Sequence, residues 1–553
     1  KKYSKSEKFI DPLSSKTSVT GSKDNNLAGD LYTTNGESLD WNSNAFLYYT
    51  RSFNKQHNLN VSAGWEAASG TTESTNAHYR GFPSGEFHSL NYAAEVYKKP
   101  TRTENTTRRV SVLASANYTW NDIYLVDASV RFDGSSEFGA NQKWAPFFSG
   151  GLGVNIHNYD FFKSNGYINK LKLRASYGRT GKVNFPAYAA TTMYETLFDE
   201  WYITGYGAVL KALGNKDLTW EKTDKLSVGI ETKTFHDRLT VDFEYYYNKT
   251  IDLVNDVTLS QTSGFSTYKD NMGQVANKGV ELKLRADIYR DRNWNVALWG
   301  NMAHNKNEIL KISDSQKAYN ERVAAYYKNE ALYQETLGLS HGAEYSVPLP
   351  QYEEGASLTS IWAVRSLGID PTTGKEIFLN RDGSIADKWN AAQEVVVGNT
   401  EPKCSGAFGL NLSYKNWTLF ASFLYEWGGQ EYNQTLVNNV ENADLVNKNV
   451  DLRVLTDRWK KPGDIAQFKD IKDRGMTTLP TSRFVQDKAL VRLNSLNVSY
   501  DFNRDWIKKH LRMNLLRLEA STSDLINWSS IKQERGLSYP RSWKVEFSLK
   551  AQF

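Results

Sequence analysis

Apolar and polar side chains alternate one for one along most of this chain. In residues 543–553 (W-K-V-E-F-S-L-K-A-Q-F), Trp543, Val545, Phe547, Leu549, Ala551 and Phe553 share one parity. Lys544, Glu546, Ser548, Lys550 and Gln552 take the other. Successive side chains of a strand point to opposite faces, so this split makes one oily face and one wet, charged face. The pattern returns at Val280, Leu282, Leu284, Ala286 and Ile288 against Glu281, Lys283, Arg285 and Asp287. It returns again at Leu239, Val241, Phe243, Tyr245 and Tyr247 against Thr240, Asp242, Glu244 and Tyr246. A soluble sheet turns the charged face to bulk water. A membrane barrel turns it to a wet lumen and gives the apolar face to lipid.

One strand favours the barrel. Its apolar parity carries Trp417, Leu419, Ala421, Phe423, Tyr425 and Trp427. At about 3.3 Å per residue the two tryptophans lie roughly 33 Å apart. Tilted by about 40°, that spans roughly 25 Å, the height of the apolar band between aromatic girdles. Trp417, Tyr425 and Trp427 are the expected lipid-facing girdle.

The connections sort by length. Short turns are expected near residues 54–57, 121–122, 236–237, 291–293 and 415–416, with longer ones near 159–168 and 504–513. Long polar loops are expected at 69–105, 181–217, 251–274, 307–403 and 428–487. Alternating short turns and long loops is the habit of an outer-membrane barrel, with periplasmic turns and extracellular loops. Counted this way there are about fifteen strands, or sixteen with a weak one at 19–30, against about 22 in the large transporters. Strands are therefore expected to be missing on the N-terminal side. Within the loops, 317–335 is expected to form a short amphipathic helix, and 368–383 a small hairpin between two tight turns.

Composition agrees with this picture. Mean hydropathy is −0.58, and no apolar run approaches the roughly 18 residues of a transmembrane helix. Aromatics make up 13% of the chain, with 32 Tyr and 16 Trp, which suits interfacial girdles and also sugar-binding surfaces. The net charge of +5 comes without a basic block, which argues against a nucleic-acid partner. A single cysteine, Cys404, excludes an internal disulfide and a multi-cysteine metal site. The first residues lack the apolar stretch of a signal peptide. Export then implies that the signal was removed or that this is the later part of a longer chain. The eight histidines are scattered, and no catalytic motif falls in a fitting context. Neither enzyme activity nor a cofactor nor a metal is expected.

Several segments, in order, resemble the SusC/RagA family of TonB-dependent outer-membrane transporters of Bacteroidetes-type bacteria. Arg131, Asp133, Gly134, Ser135, Ser136, Phe138 and Gly139 resemble its R-x-D-G-S-S-x-F-G stretch. Residues 171–181 (LKLRASYGRTG) resemble its L-K-x-R-x-S-Y-G strand, and Leu218, Trp220 and Glu221 its L-x-W-E. Residues 271–282 (NMGQVANKGVEL) resemble its N-x-G-x-x-x-N-K-G-x-E-L, and 398–403 (GNTEPK) a strand start. Residues 492–500 and 540–553 resemble the closing strands.

The resemblance implies an all-β fold: a transmembrane antiparallel β-barrel, of which residues 1–553 form the C-terminal majority of a 22-stranded wall. The plug domain and first strands would lie outside this chain, and 307–403 and 428–487 would be large extracellular loops. It implies active import of oligosaccharides or peptides across the outer membrane. The implied partners are a SusD-like surface lipoprotein, TonB-ExbB-ExbD through the missing plug region, the barrel-assembly machinery and outer-membrane lipid. A passive porin-like channel and a soluble all-β glycan-binding protein are the alternatives. The loop aromatics Trp201, Tyr202, Tyr206, Tyr326, Tyr327, Tyr345 and Trp362 are expected to contact cargo or to pack against the lipoprotein lid. Inward-facing Asp242, Glu244, Glu281, Lys283, Arg285, Asp287, Arg517 and Glu519 are expected to pair, holding a plug and lining the lumen, or to contact cargo. Trp543, Val545, Phe547, Leu549 and Phe553 resemble the terminal signal read during barrel assembly.

Overall fold

The computed structural model describes residues 2–11, 28–87, 89–163, 167–183, 185, 187–203, 205–258, 267–312, 317, 320, 351–447, 449–475, 478–502, 504–532 and 544–553. Seventeen segments form one sheet. Two of them, Leu515–Ser523 and Asn527–Ser529, pair with the same neighbour and make one interrupted strand. Among the described residues the sheet therefore has sixteen strands. They are β1 (Lys2–Ile10), β2 (Asp30–Phe53), β3 (His57–Arg80), β4 (Glu95–Trp120), β5 (Tyr124–Ser135), β6 (Trp144–Asn155), β7 (Ile168–Lys182) and β8 (Glu221–Thr234). There follow β9 (Leu239–Thr258), β10 (Thr267–Arg290), β11 (Trp294–Lys311), β12 (Cys404–Tyr414), β13 (Trp417–Tyr432), β14 (Val485–Asp501), the interrupted β15 and β16 (Lys544–Gln552).

Each strand pairs antiparallel with the next in sequence, from β1–β2 through to β15–β16. Among the described residues β1 and β16 pair on one side only. No described helix is long and apolar enough to cross a membrane.

The two faces separate as the alternation requires. On the apolar face Phe408 stacks on Phe423 at 5.2 Å, and Trp417 and Trp427 are 51% and 72% exposed. On β16, Phe547, Leu549 and Phe553 are more exposed still than Trp417. A sandwich would bury this face under a second sheet. Here the buried hydrophobic clusters lie at the long-loop end of the strands. A large, uncovered apolar surface of this kind is one made for lipid.

The short turns are built from residues that tolerate the left-handed region. Asn121 and Asp122 have φ of 53° and 56°, and His236 and Asp237 of 59° and 63°. Paired positive φ values match the twist of the flanking strands.

Three expectations need correction. Residues 69–105 are mostly strand, since β3 and β4 pair beyond the membrane through Asn76↔Thr101 to Arg80↔Glu95. Both faces are wet there, so alternation vanishes. Threonine-rich sequence (Thr71, Thr72, Thr101, Thr103, Thr106, Thr107) still favours strand. In the same way β9 and β10 extend through much of 251–274. The sixteenth strand is Lys2–Ile10, whose polar residues occupy both parities. Of the stretch 19–30, where a weak strand was expected, residues 19–27 lie outside the described residues and Asp30 opens β2.

The small hairpin is present as a three-stranded meander, Arg365–Ile369, Glu376–Leu379 and Ile385–Ala386. Gly374 and Gly383 take φ of 72° and 86° at its turns. Of the helix expected at 317–335, only 317 and 320 are described. The longer turn at 504–513 holds a helix, Arg504–Leu511.

A lipid-facing charge is costly near mid-membrane, and a lumen-facing one is not. Phe423→Lys should cost about 2–4 kcal/mol in the full-length protein folded into vesicles, measured by urea titration. Glu426→Lys, which loses a Lys488 contact of 3.3 Å, should cost far less. Equal losses would reverse the assignment of faces.

Candidate functional site

The charged face is wired by ion pairs that cross from strand to strand. Arg174 on β7 donates to Asp242 at 2.8 Å and Glu244 at 2.7 Å, both on β9. It must pass over β8, and the residue beneath it is Gly229, where a Cβ would sit 2.8 Å from Arg174 Nε. Arg131 on β5 likewise reaches over β4 to Glu66 on β3 at 2.8 Å, donating on the way to Ser111 at 2.8 Å. Arg179 grips Asp224 at 2.6 and 2.9 Å, and Arg517 grips Asp501 at 2.6 and 2.7 Å. Singly, such partly exposed pairs contribute about 0–1 kcal/mol. As a series they brace neighbouring strands in one register.

Above the Arg174 fork lies a polar concavity of about 550 Å³, bordered by Lys225, Glu244, Tyr246, Asn277, Glu281 and Asn305 among others. Tyr246 donates its hydroxyl to Asn305 at 2.9 Å, lying across Gly279 of the N-K-G segment. A Cβ there would collide with the His304 carbonyl and the Tyr246 ring. Asn277 accepts from Asn305 at 3.2 Å and Asn307 at 2.9 Å. Glu401 of the G-N-T-E-P-K segment accepts from the Asn305 side chain and the Asn307 backbone.

The other motif segments meet at the long-loop end. Phe138 stacks on Trp220 at 4.2 Å, and Phe147 meets the same ring edge-on. Leu218 and Phe185 complete this core. Gly139 donates to the Leu218 carbonyl at 3.1 Å and leaves no room for a Cβ against Lys216. Asn271 accepts from the Thr219 N–H at 2.8 Å and donates to the Thr219 and Asp252 carbonyls.

A second loop core joins 351–403 to 428–487. Arg483, 11% exposed, sits between Glu376 at 2.9 Å and the fully buried Glu441 at 2.6 Å. Arg458 donates to the carbonyls of Val440, Glu441 and Lys469. Leu436, Val437, Val440 and Phe484 pack around them. Nearby, burial pushes the Glu394 carboxyl up to about 7, against the opposing pull of the Gln351 amide and Arg381.

A family model for the TonB dependent receptor-like β-barrel matches residues 7–520. The chain belongs to this family. It is 26% identical to TonB-dependent receptor P39 of Formosa agariphila over 566 residues, covering 93% of this chain and 53% of that protein. It is 29% identical over 255 residues to TonB-dependent receptor SusC of Bacteroides thetaiotaomicron, covering 44% of this chain and 25% of that one. The chain spans about half the length of the Formosa receptors it matches. The RagAB peptide transporter superposes with a TM-score of 0.77 at 23% identity, over 91% of this chain and 53% of that one. The 'open-open' state of the RagAB peptide importer gives 0.80 at 22% identity, over 95% and 56%. These superpositions show the shared barrel fold.

As a TonB-dependent receptor-like barrel, the protein is an outer-membrane protein and not an enzyme. Of the inward charges, Asp242, Glu244 and Arg517 sit in the ion pairs above. Arg285 approaches Asp287 at 3.4 Å, Asn497 donates to Glu519, Glu281 borders the concavity, and Lys283 stands beside Asp242 in register.

Of the loop aromatics, only Trp362 has a described side chain. The backbones of Trp201, Tyr202 and Tyr206 form a hairpin, with Trp201 opposite Tyr206; their side chains lie outside the described residues. Tyr326, Tyr327 and Tyr345 lie outside them altogether, as does Trp543. Trp362 is 2% exposed, so it offers no open face for stacking. Within the expected girdle, Tyr425 donates its hydroxyl to the Asn301 carbonyl at 3.0 Å. Sequence reasoning missed the glycines beneath crossing side chains. The conjunction of Gly229 with Arg174 two strands from Asp242 becomes visible only once the register is known.

Two outcomes follow. Gly279→Val should force the β10–β11 ladder apart at a cost of about 1–3 kcal/mol, read as loss of heat-modifiable migration at lower temperature. For Glu394, the folded chain holds the proton more tightly than the unfolded one. Stability of the 351–403 unit should therefore fall as pH rises from about 4.5 to about 7. Glu394→Gln should remove that slope in hydrogen exchange corrected for intrinsic rates.

Proposed function

We propose that this chain is the larger part of the wall of a SusC-like importer, which moves oligosaccharides or peptides inward using energy from TonB. The observation that carries this reading is a lumen face whose charges are satisfied within the wall itself, as in the Arg174–Asp242–Glu244 fork. Such a face is wet and open to polar solutes without presenting a single strong charge to trap them. The one-sided pairing of β1 and β16 supports further strands completing the cylinder, because an unpaired ladder is costly in lipid. In this reading the remaining half of the protein supplies those strands, the plug and the TonB contact. A SusD-like lipoprotein covers the long-loop end at the cell surface. RagAB is a peptide transporter, which favours peptides as one cargo class; oligosaccharides are the other class that the SusC/RagA resemblance implies.

The test is uptake by cells carrying the full-length gene. Labelled oligosaccharide or peptide should enter, and deleting TonB should abolish entry while leaving the barrel in the outer membrane. Entry that persists without TonB would mean a passive channel.

A further inference from the structure

The lipid-facing wall ends in a row of rings at the short-turn side. Trp294, Tyr414, Trp417 and Tyr500 stand opposite one another across β11 to β14. Cross-strand partners share a face, so all four lie on the lipid side with Trp417. Trp294 meets Tyr414 at 4.2 Å, Trp417 meets Tyr500 at 4.8 Å, and Phe502 continues the row at 5.1 Å from Tyr500. Aromatic belts of this kind sit at headgroup height. Short turns mark the periplasmic end of an outer-membrane barrel, so this belt borders the inner leaflet.

The connections directly below the belt are joined into a rim. Lys415 donates its backbone N–H to the Asn293 carbonyl at 2.8 Å, and Asp501 donates its own to the Asn416 carbonyl at 2.9 Å. The next connection is the helix Arg504–Leu511. Ile507 is buried, while Trp506, Lys508, Lys509 and Leu511 are exposed.

This rim presents cations without counter-charges. Arg292, Lys415, Lys508, Lys509 and Arg512 are all exposed, and none has a carboxylate within ion-pair distance among the described residues. Lys415 lies over the Tyr414 ring at 5.4 Å. Two nearby carboxylates are engaged elsewhere. Asp291 accepts from the N–H groups of Asn293 and Trp294 at 2.7 Å each and from the Tyr289 hydroxyl at 2.9 Å. Asp501 is gripped by Arg517. On the lumen face, then, arginines are matched by the wall's own carboxylates. On the rim, cations are left to an anion from outside the chain. Lys415 directly follows Tyr414, so it stands about 3 Å along the chain from the belt. Its stem lies along apolar surface while the ammonium stays in the headgroup layer. The anion at that height is a phosphate diester.

We propose that the rim from the β10–β11 turn to the helix Arg504–Leu511 binds anionic phospholipid headgroups of the periplasmic leaflet. A Lys or Arg near an anionic surface contributes about fivefold to association. The proposal needs only the barrel in its membrane and stands apart from the import reading.

The full-length receptor would be placed in nanodiscs of phosphatidylcholine and phosphatidylglycerol with matched acyl chains, then extracted into mild detergent. Mass spectrometry would count the lipids it retains. Phosphatidylglycerol should be retained at least about fivefold above its share of the disc, and the excess should shrink as salt rises from about 50 to about 500 mM. Lys415→Gln, Lys508→Gln, Lys509→Gln and Arg512→Gln together should bring the two lipids to near parity, while Lys415→Arg, Lys508→Arg and Lys509→Arg together should keep the excess. Heat-modifiable migration checks that each variant is folded. If the combined Gln variant does not fold, Lys508→Gln with Lys509→Gln on the exposed helix should still lower the excess severalfold. Equal retention of the two lipids by the unaltered receptor, or an excess that survives the Gln substitutions, overturns the proposal. A second arm uses discs carrying lipid A. Retention of lipid A in place of phosphatidylglycerol, lost with the same substitutions, would set the rim in the outer leaflet and overturn it as well.

Discussion

A strand in lipid has nowhere to place its backbone N–H and C=O groups except on a neighbouring strand. That constraint orders everything else in this protein. It makes each strand pair with the next in sequence, antiparallel, from β1 to β16. It also fixes which side chains meet. Once the ladder is set, Glu231 must lie beside Asp242, and Gly229 must lie between Arg174 and Glu244. A slip of one residue would turn every lysine and glutamate on a strand into hydrocarbon. The ion pairs of the inner face add little energy each, but they exist only in the correct register. Their contribution is to specify the wall.

The segments shared with SusC-like proteins acquire a structural meaning in these terms. Gly279 lets Tyr246 cross to Asn305, and Asn277 and Glu401 hold the same asparagine row. Phe138, Gly139, Leu218, Trp220 and Asn271 close the wall where three loops leave it. These residues brace the rim of the barrel. They are poor guides to cargo, because any solute passing through would need the same braces.

Much of the barrel was legible because lipid imposes a period of two. At Val280, Leu282 and Leu284 hydrocarbon meets one parity and water the other, and the sequence has to comply. Legibility ended where that asymmetry ended. Above the membrane β3 and β4 have water on both sides, so the pairing of Thr71 with Thr106 and its neighbours left no alternation to read. β1 was lost for the same reason. The candidate sites were less legible still. Trp362 reads as an exposed loop aromatic, but it lies in the small sheet of Ser360–Ala363 with Val395–Asn399 and is buried there. Only the third dimension shows that its N–H is buried with no partner among the described residues.

The loops therefore behave as a folded cap and not as connecting chain. Arg483 is buried with two carboxylates, one of them wholly inaccessible. Removing Arg483 would leave two buried carboxylates without their cation, which costs far more than the pairing contributes. The arrangement holds only if the 351–403 and 428–487 segments stay together. Arg483 joins them through Glu376 on one side and Glu441 on the other, and Trp389 adds a bond from its indole N–H to the Pro480 carbonyl at 2.9 Å. A cap clamped this way keeps the small sheet seated where the chain enters β12.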